Sequence, residues 1–166
     1  SSNLERLLYL LSDENSGEVA EYMHSLNETG RYRVSGRVLE RLQETFACGF
    51  ADDDETKRAI GSTWKKEHYL MDTHTGVAYA VASRHMTKGI PMVVLSTASP
   101  YKFPQAVAEA LGIAGDETDE FLLIDRISEE TGVPVPGNLA ALKQKPVRFD
   151  TVIPREKMLD YVLGLV

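Results

Sequence analysis

Residues 91–103 read Pro-Met-Val-Val-Leu-Ser-Thr-Ala-Ser-Pro-Tyr-Lys-Phe. Met92 to Leu95 is an unbroken apolar run, bounded by Pro91 on one side and by small polar residues on the other. A run without alternation predicts a strand buried on both faces, here over residues 92–96. Ser96, Thr97, Ala98 and Ser99 then form a short polar step. Ser99 reads as a helix N-cap with Pro100 at the first helical position. Phe103, Val107 and Leu111, spaced four apart, give that helix one apolar stripe. In an open α/β sheet, ligands sit beyond the carboxyl ends of the strands. The hydroxyls of Ser96, Thr97 and Ser99 would stand there, beside the positive end of a helix. The plainer reading is a tight strand-to-helix turn with one cap, and the residue pattern alone favours it.

Composition narrows the classes. The chain has 166 residues, 43% of them apolar, enough for one domain with its own core. A net charge of -7 argues against nucleic acid, because nothing would neutralise phosphates along a groove. The single cysteine, Cys48, allows no internal disulfide and suits a reducing compartment. Between Ala47 and Gly49 it reads as a buried, inert thiol rather than a nucleophile. No signal-peptide or membrane-spanning pattern is present, so the expected location is the cytoplasm, with no membrane partner.

Most of the rest is helical. Leu4, Leu7, Leu8 and Leu11 recur at the spacing of one helix face. Asn15 and Glu18 have capping-box spacing ahead of Val19, Tyr22, Met23 and Leu26, and that helix should end near Gly30. Ser35 caps a third helix with Val38, Leu42 and Phe46 as its buried face. Asp52 to Glu55 resembles a metal cluster, but no Gly-punctuated loop or distal Glu completes one. Acidic residues at a helix start, with Lys65 and Lys66 at its far end, complement the helix dipole instead, so no metal site is expected. Ile60 and Trp64 would bury that helix.

Asp72 or Thr73 caps the next helix, and His74 at its start is expected to bond backbone or carboxylate rather than act as a base. His68, His74 and His85 lack the i, i+4 spacing of a zinc helix. Asp116 to Glu120 opens a helix with Leu123, Ile124 and Ile127 on its face, stopped by Gly132 and Pro134. Pro136 opens a short helix, residues 147–153 suggest an edge strand, and Pro154 begins a last helix buried through Met158, Val162 and Leu165. This inventory holds one convincing buried strand and no adequate neighbours for it. A strand apolar on both faces needs partners for its backbone groups, so they must come from elsewhere.

Leu95 to Phe103, LSTASPYKF, resembles the C-terminal signature of threonine synthase, a pyridoxal-phosphate enzyme of the tryptophan-synthase β-like fold (fold type II). The family's usual form is Leu, a small residue, Thr-Ala, any residue, then Pro-x-Lys-Phe. Three further stretches are similar to the family in the same order: Ser1 to Tyr9, Asp54 to Ile60, and Tyr69 to Tyr79 with its Asp-x-His-Thr-x-Val-Ala helix entry. Gly76 stands where the family often has Ala.

The resemblance covers essentially the whole chain. It implies a strongly helical α/β architecture, the C-terminal part of a three-layer α/β/α enzyme, with residues 1–166 as a single partial domain around the buried strand 92–96. The family's Schiff-base lysine and the Gly-rich cup for the cofactor phosphate lie upstream, and nothing here is similar to either. The chain is then expected to hold no catalytic residue of its own and to lack activity and bound cofactor by itself. Its partner would be the missing N-terminal portion of the same enzyme, with self-association left open. The complete enzyme would convert O-phospho-L-homoserine and water to L-threonine and phosphate. By the family's pattern, Thr97 is the residue whose hydroxyl would hydrogen-bond the pyridine nitrogen of pyridoxal 5'-phosphate. Two other readings stand beside this one. The chain is a non-catalytic helical binding module reusing the half-fold, or a hydrolase pairing Ser96 or Ser99 with His74 or His85, although no G-x-S-x-G elbow is present.

Overall fold

The leucine stripe at the start of the chain folds as helix α1 (Ser2–Leu11), burying Leu8 and half-burying Leu7 and Leu11. The computed structural model describes residues 2–164, which pack as two units, Ser1–Phe50 and Ala51–Val166. In the first unit α2 (Ser16–Thr29) is capped by Asn15, whose side chain accepts the Glu18 amide at 3.1 Å. It ends at Gly30, whose φ of 73° is the left-handed turn that glycine adopts without strain. The reciprocal half of the expected capping box gives way to other side-chain bonds. The Glu18 carboxylate accepts from the Tyr22 and Ser35 hydroxyls and pairs with Arg37. Helix α3 (Gly36–Thr45), capped by Ser35, adds Val38 to a core of Leu8, Val19 and Tyr22. Phe46, expected on that buried face, is the extended C-cap residue and is exposed.

The second unit is built on α4 (Asp53–Glu67). Asp52 and Glu55 form a complete capping box at its start, and Lys65 and Lys66 lie in its last turn, as the charge pattern predicted. Helix α4 packs against both α5 (Thr73–His85) and α6 (Pro104–Leu111). Gly61 makes the second contact possible: a Cβ there would stand 2.4 Å from the carbonyl oxygen of Ala110. Helix α7 (Glu120–Thr131) covers α6 and contributes Leu123, Ile124 and Ile127. Leu70, Tyr101, Val107 and Ala108 complete this core, with Trp64 packed at its margin.

The signature stretch departs from expectation twice. First, no strand is present among the described residues, and the expected central buried strand at 92–96 is not formed within this chain. Met92, Val93 and Leu95 are 41%, 78% and 75% exposed. A lone apolar segment cannot satisfy its backbone groups in a core, so without neighbouring strands it stays at the surface. Second, Ser99 and Pro100 open only a 3₁₀ turn, Pro100–Lys102, before α6 begins at Pro104. Pro104 has no amide hydrogen for a continuous helix and disfavours the helical conformation at Phe103, whose φ of -135° breaks the run.

The C-terminal stretch departs as well. Helix α8 (Gly137–Ala140) and α9 (Met158–Leu163) form, but residues 147–153 are not a strand. Met158 and Val162 are exposed, so α9 is not buried as predicted, and Leu165 lies outside the described residues. Cys48 is exposed rather than buried. The exposed area is 12560 Å². Separate compact units of 50 and 116 residues would expose about 9,700 Å² by the usual size scaling. The excess falls partly on unpaired apolar residues such as Val93, Leu95, Val147, Phe149 and Val152, the kind of surface that another polypeptide covers.

Candidate functional site

The site is assembled where the entry of α5 meets the Ser96–Ser99 step. Asp72, the N-cap of α5, is fully buried. Its Oδ1 accepts the backbone amides of His74 at 2.8 Å and Thr75 at 3.4 Å, and lies 3.1 Å from His74 Nδ1. Its Oδ2 accepts the Thr75 hydroxyl. Burial pushes the Asp72 carboxyl up, but the Thr75 and His74 hydrogen bonds outweigh it and hold the group below the ordinary aspartate value. Asp72 is therefore a carboxylate at neutral pH and can only accept.

That fixes the proton directions beyond it. Thr75 has one hydroxyl hydrogen and gives it to Asp72, so the 3.2 Å contact between Thr75 Oγ1 and Ser96 Oγ must run the other way. Ser96 donates to Thr75, and Thr75 donates to Asp72. Thr75 is buried, while Ser96 and Thr97 are exposed. No hydrogen bond engages the Thr97 side chain among the described residues. At the other end of the step, Ser99 Oγ accepts the Tyr101 amide at 3.3 Å. Tyr101 is buried, and its hydroxyl donates to the carbonyl of Val133 just beyond α7. A segment without strand partners is thus pinned at both ends.

His74 meets expectation in bonding a carboxylate. Its ring is largely exposed and rests on Phe103, with centroids 5.0 Å apart. Because an ionised Asp72 faces Nδ1, the ring donates from Nδ1. His74 also lines a cavity of about 370 Å³ with Thr56, Lys57, Val77, Ala106 and Glu109. Lys57 pairs with Glu109 across it at 3.1 Å.

No hydrogen bond joins Ser96 or Ser99 to His74 or His85 among the described residues. Ser96 is engaged by Thr75, Ser99 serves as a cap, and His85 ends α5, about 18 Å from its start by helical rise. Lys102 is exposed in the 3₁₀ turn. No cluster of three or more His, Cys, Asp or Glu suited to a metal occurs among the described residues. Sequence reasoning missed Thr75. The signal was its place three residues after the cap Asp72, within reach of that carboxylate.

The fold has counterparts among known proteins. The structure of pyridoxal-phosphate-bound threonine synthase from Brucella melitensis superposes with a TM-score of 0.71 at 29% identity, over 98% of this chain and 31% of that one. The fold is thus that of the C-terminal part of a threonine synthase. By sequence, the chain is 34% identical to "Threonine synthase-like 1" of Homo sapiens over 113 residues, 68% of this chain and 15% of that protein. It is 32% identical to the threonine synthase of Schizosaccharomyces pombe over 95% of this chain and 34% of that protein. The family described as "Threonine synthase, C-terminal" matches residues 75–162, just over half of the chain. The chain belongs to the threonine synthase C-terminal family. It spans about a third or less of the length of these relatives. No described helix is long and apolar enough to cross a membrane.

Proposed function

We propose that residues 1–166 act as the C-terminal segment of a pyridoxal-phosphate-dependent lyase that converts O-phospho-L-homoserine and water to L-threonine and phosphate. The single observation that carries the reading is the Ser96–Thr97 step. It leaves one exposed, unengaged hydroxyl at Thr97 on a backbone pinned from both sides. The donor chemistry fits one end of the cofactor. A neutral hydroxyl donates to a pyridine nitrogen without forcing a proton onto it, as a carboxylate would. No Gly-rich run is present in the chain to cradle the phosphate end, so that end would fall to residues outside it.

When bound, pyridoxal phosphate supplies an electron sink for bond-breaking at the substrate amino acid. This chain's own residues do less conspicuous work. Thr97 would hold the ring nitrogen through its hydroxyl, and the Ser96, Thr75 and Asp72 side chains would steady the backbone that carries it. The apolar side chains of Met92, Val93 and Leu95 await strands from the N-terminal portion of the same enzyme, which would exclude water from the pocket. The segment is inactive and cofactor-free by itself, and the complete enzyme works in the cytoplasm.

The test is phosphate release from O-phospho-L-homoserine by the complete protein, with Thr97→Ala and Thr97→Ser beside the parent. Thr97→Ala should lose most of the activity and Thr97→Ser should retain it. Full activity in Thr97→Ala would remove Thr97 from the site. A complete protein that releases no phosphate under any condition would favour the non-catalytic helical module.

A further inference from the structure

We propose that Thr75 is a positioning residue for the cofactor-holding step. It anchors Ser96 by a one-directional hydroxyl chain that ends on the buried carboxylate of Asp72. The inference rests on the pyridoxal-phosphate reading of Thr97 and deepens it.

The geometry supplies three connected reasons. Asp72 is fully buried and receives four hydrogen bonds, so its position is over-determined by the first turn of α5. Thr75 is 4% exposed and spends its only hydroxyl proton on that carboxylate, which leaves its oxygen able to take one specific donor. That donor is Ser96, at 3.2 Å and 21 residues further along the chain. Among the described residues it is the side-chain hydrogen bond that joins the α5 entry to the signature stretch.

Ser96 precedes Thr97 directly, so fixing the Ser96 side chain restricts the backbone from which the Thr97 hydroxyl projects. Within this chain the stretch has no strand partner; strands supplied by the rest of the enzyme would hold the backbone of 92–95, and the Ser96 bond fixes the end beyond it. A hydroxyl meant to reach a ring nitrogen loses its bond when displaced by less than an ångström. Helix α5 is itself packed on α4, with Gly76 against Ile60 and Thr56, so the anchor has a rigid base. A cap that served only helix α5 would need Asp72 and the two backbone amides, and would have no use for a Thr75 oxygen aimed at Ser96.

The test is a double-mutant cycle on cofactor affinity in the complete protein. Pyridoxal phosphate is titrated into apoprotein and followed by its visible absorption. Thr75→Val removes the hydroxyl while keeping the shape, and Ser96→Ala, at an exposed position, removes the donor without disturbing the Asp72 pair. Each should weaken binding about two- to tenfold, the worth of one hydrogen bond. The double variant should be no weaker than the weaker single, because both remove the same bond. Thr75→Ser, which restores the hydroxyl, should recover near-parental affinity. Multiplicative effects in the double variant, or parental affinity in either single, would overturn the proposal. Thr97→Ala separates the two levels. If it too leaves affinity and the pH profile of the absorption unchanged, the Thr97 reading itself fails. If it weakens binding while Thr75→Val and Ser96→Ala act independently, only the anchor fails.

Discussion

Replacing Gly61 by alanine tests the packing that brings α4 and α6 together. The added Cβ would stand 2.4 Å from the Ala110 carbonyl oxygen and 3.4 Å from its carbon, both backbone atoms of α6. An ordinary carbon–oxygen contact is about an ångström longer than the first of these, so the helices must separate by roughly that amount. A gap of that size forfeits about a quarter to a half of each dispersion contact across the seam. Overpacking of this kind typically costs about 1–3 kcal/mol. Against it stands the better helix propensity of alanine, worth about 1 kcal/mol. Because the obstacle is backbone and not a flexible side chain, the clash should win, by about 1 kcal/mol net. Trp64 is the only tryptophan in the chain and packs at the margin of this core, so its fluorescence in a urea titration reports the unit directly. With a slope of about 2 kcal/mol per molar, the midpoint should fall by about 0.5 M. A Gly61→Ala chain as stable as its parent would show that α4 and α6 do not approach as closely as described.

Gly76→Ala makes a useful contrast, because its Cβ would meet only the side-chain methyl and methylene of Thr56 and Ile60, each at 3.1 Å. Those groups can yield by a few tenths of an ångström, and the propensity gain offsets the adjustment, so the same titration should place this variant within about 1 kcal/mol of the parent. Tyr101→Phe removes a buried hydroxyl from the Val133 carbonyl and should destabilise by about 1 kcal/mol in that assay. Acid should unfold the chain through its depressed carboxylates. Asp72 has a folded-state value below the ordinary 3.8, so its stabilisation is complete above that pH and is lost as the pH falls through the folded-state value. Asp13 behaves likewise, held low by its hydrogen bond from Arg41 and by the nearby charges of Arg41 and Arg37. Asp72→Asn should flatten the acid limb of the stability curve, and an unchanged limb would remove Asp72 from it.

What the sequence made legible was local. Caps at Asn15, Ser35, Asp72 and Ser99, the stop at Gly30 and the buried face of α7 follow from i, i+3 and i, i+4 rules and are found in place, whereas the α1 stripe is buried only at Leu8, half-buried at Leu7 and Leu11 and exposed at Leu4. The apolar run at 92–96 was read as buried because burial is the usual fate of such a run. The pattern carries no record of which partner supplies the burial, and Val93 and Leu95 are exposed. Pro104 interrupted a stripe that fourfold spacing alone treated as continuous. Thr75 escaped notice because its role depends on Ser96, 21 residues away, and one chain's pattern does not reveal tertiary hydrogen bonds. Residues 147–153 and the face of α9 failed for the same reason as the central run: alternation and spacing describe a surface made to be covered, not what covers it.

Titration of pyridoxal phosphate into residues 1–166, first alone and then with the upstream portion of the protein added, goes to the heart of the matter. A visible cofactor band should form only when both parts are present, and Thr97→Ala should weaken it. A full-strength band on residues 1–166 by themselves, or none in any mixture of the two parts, would contradict the assignment of this segment as one half of a shared cofactor pocket.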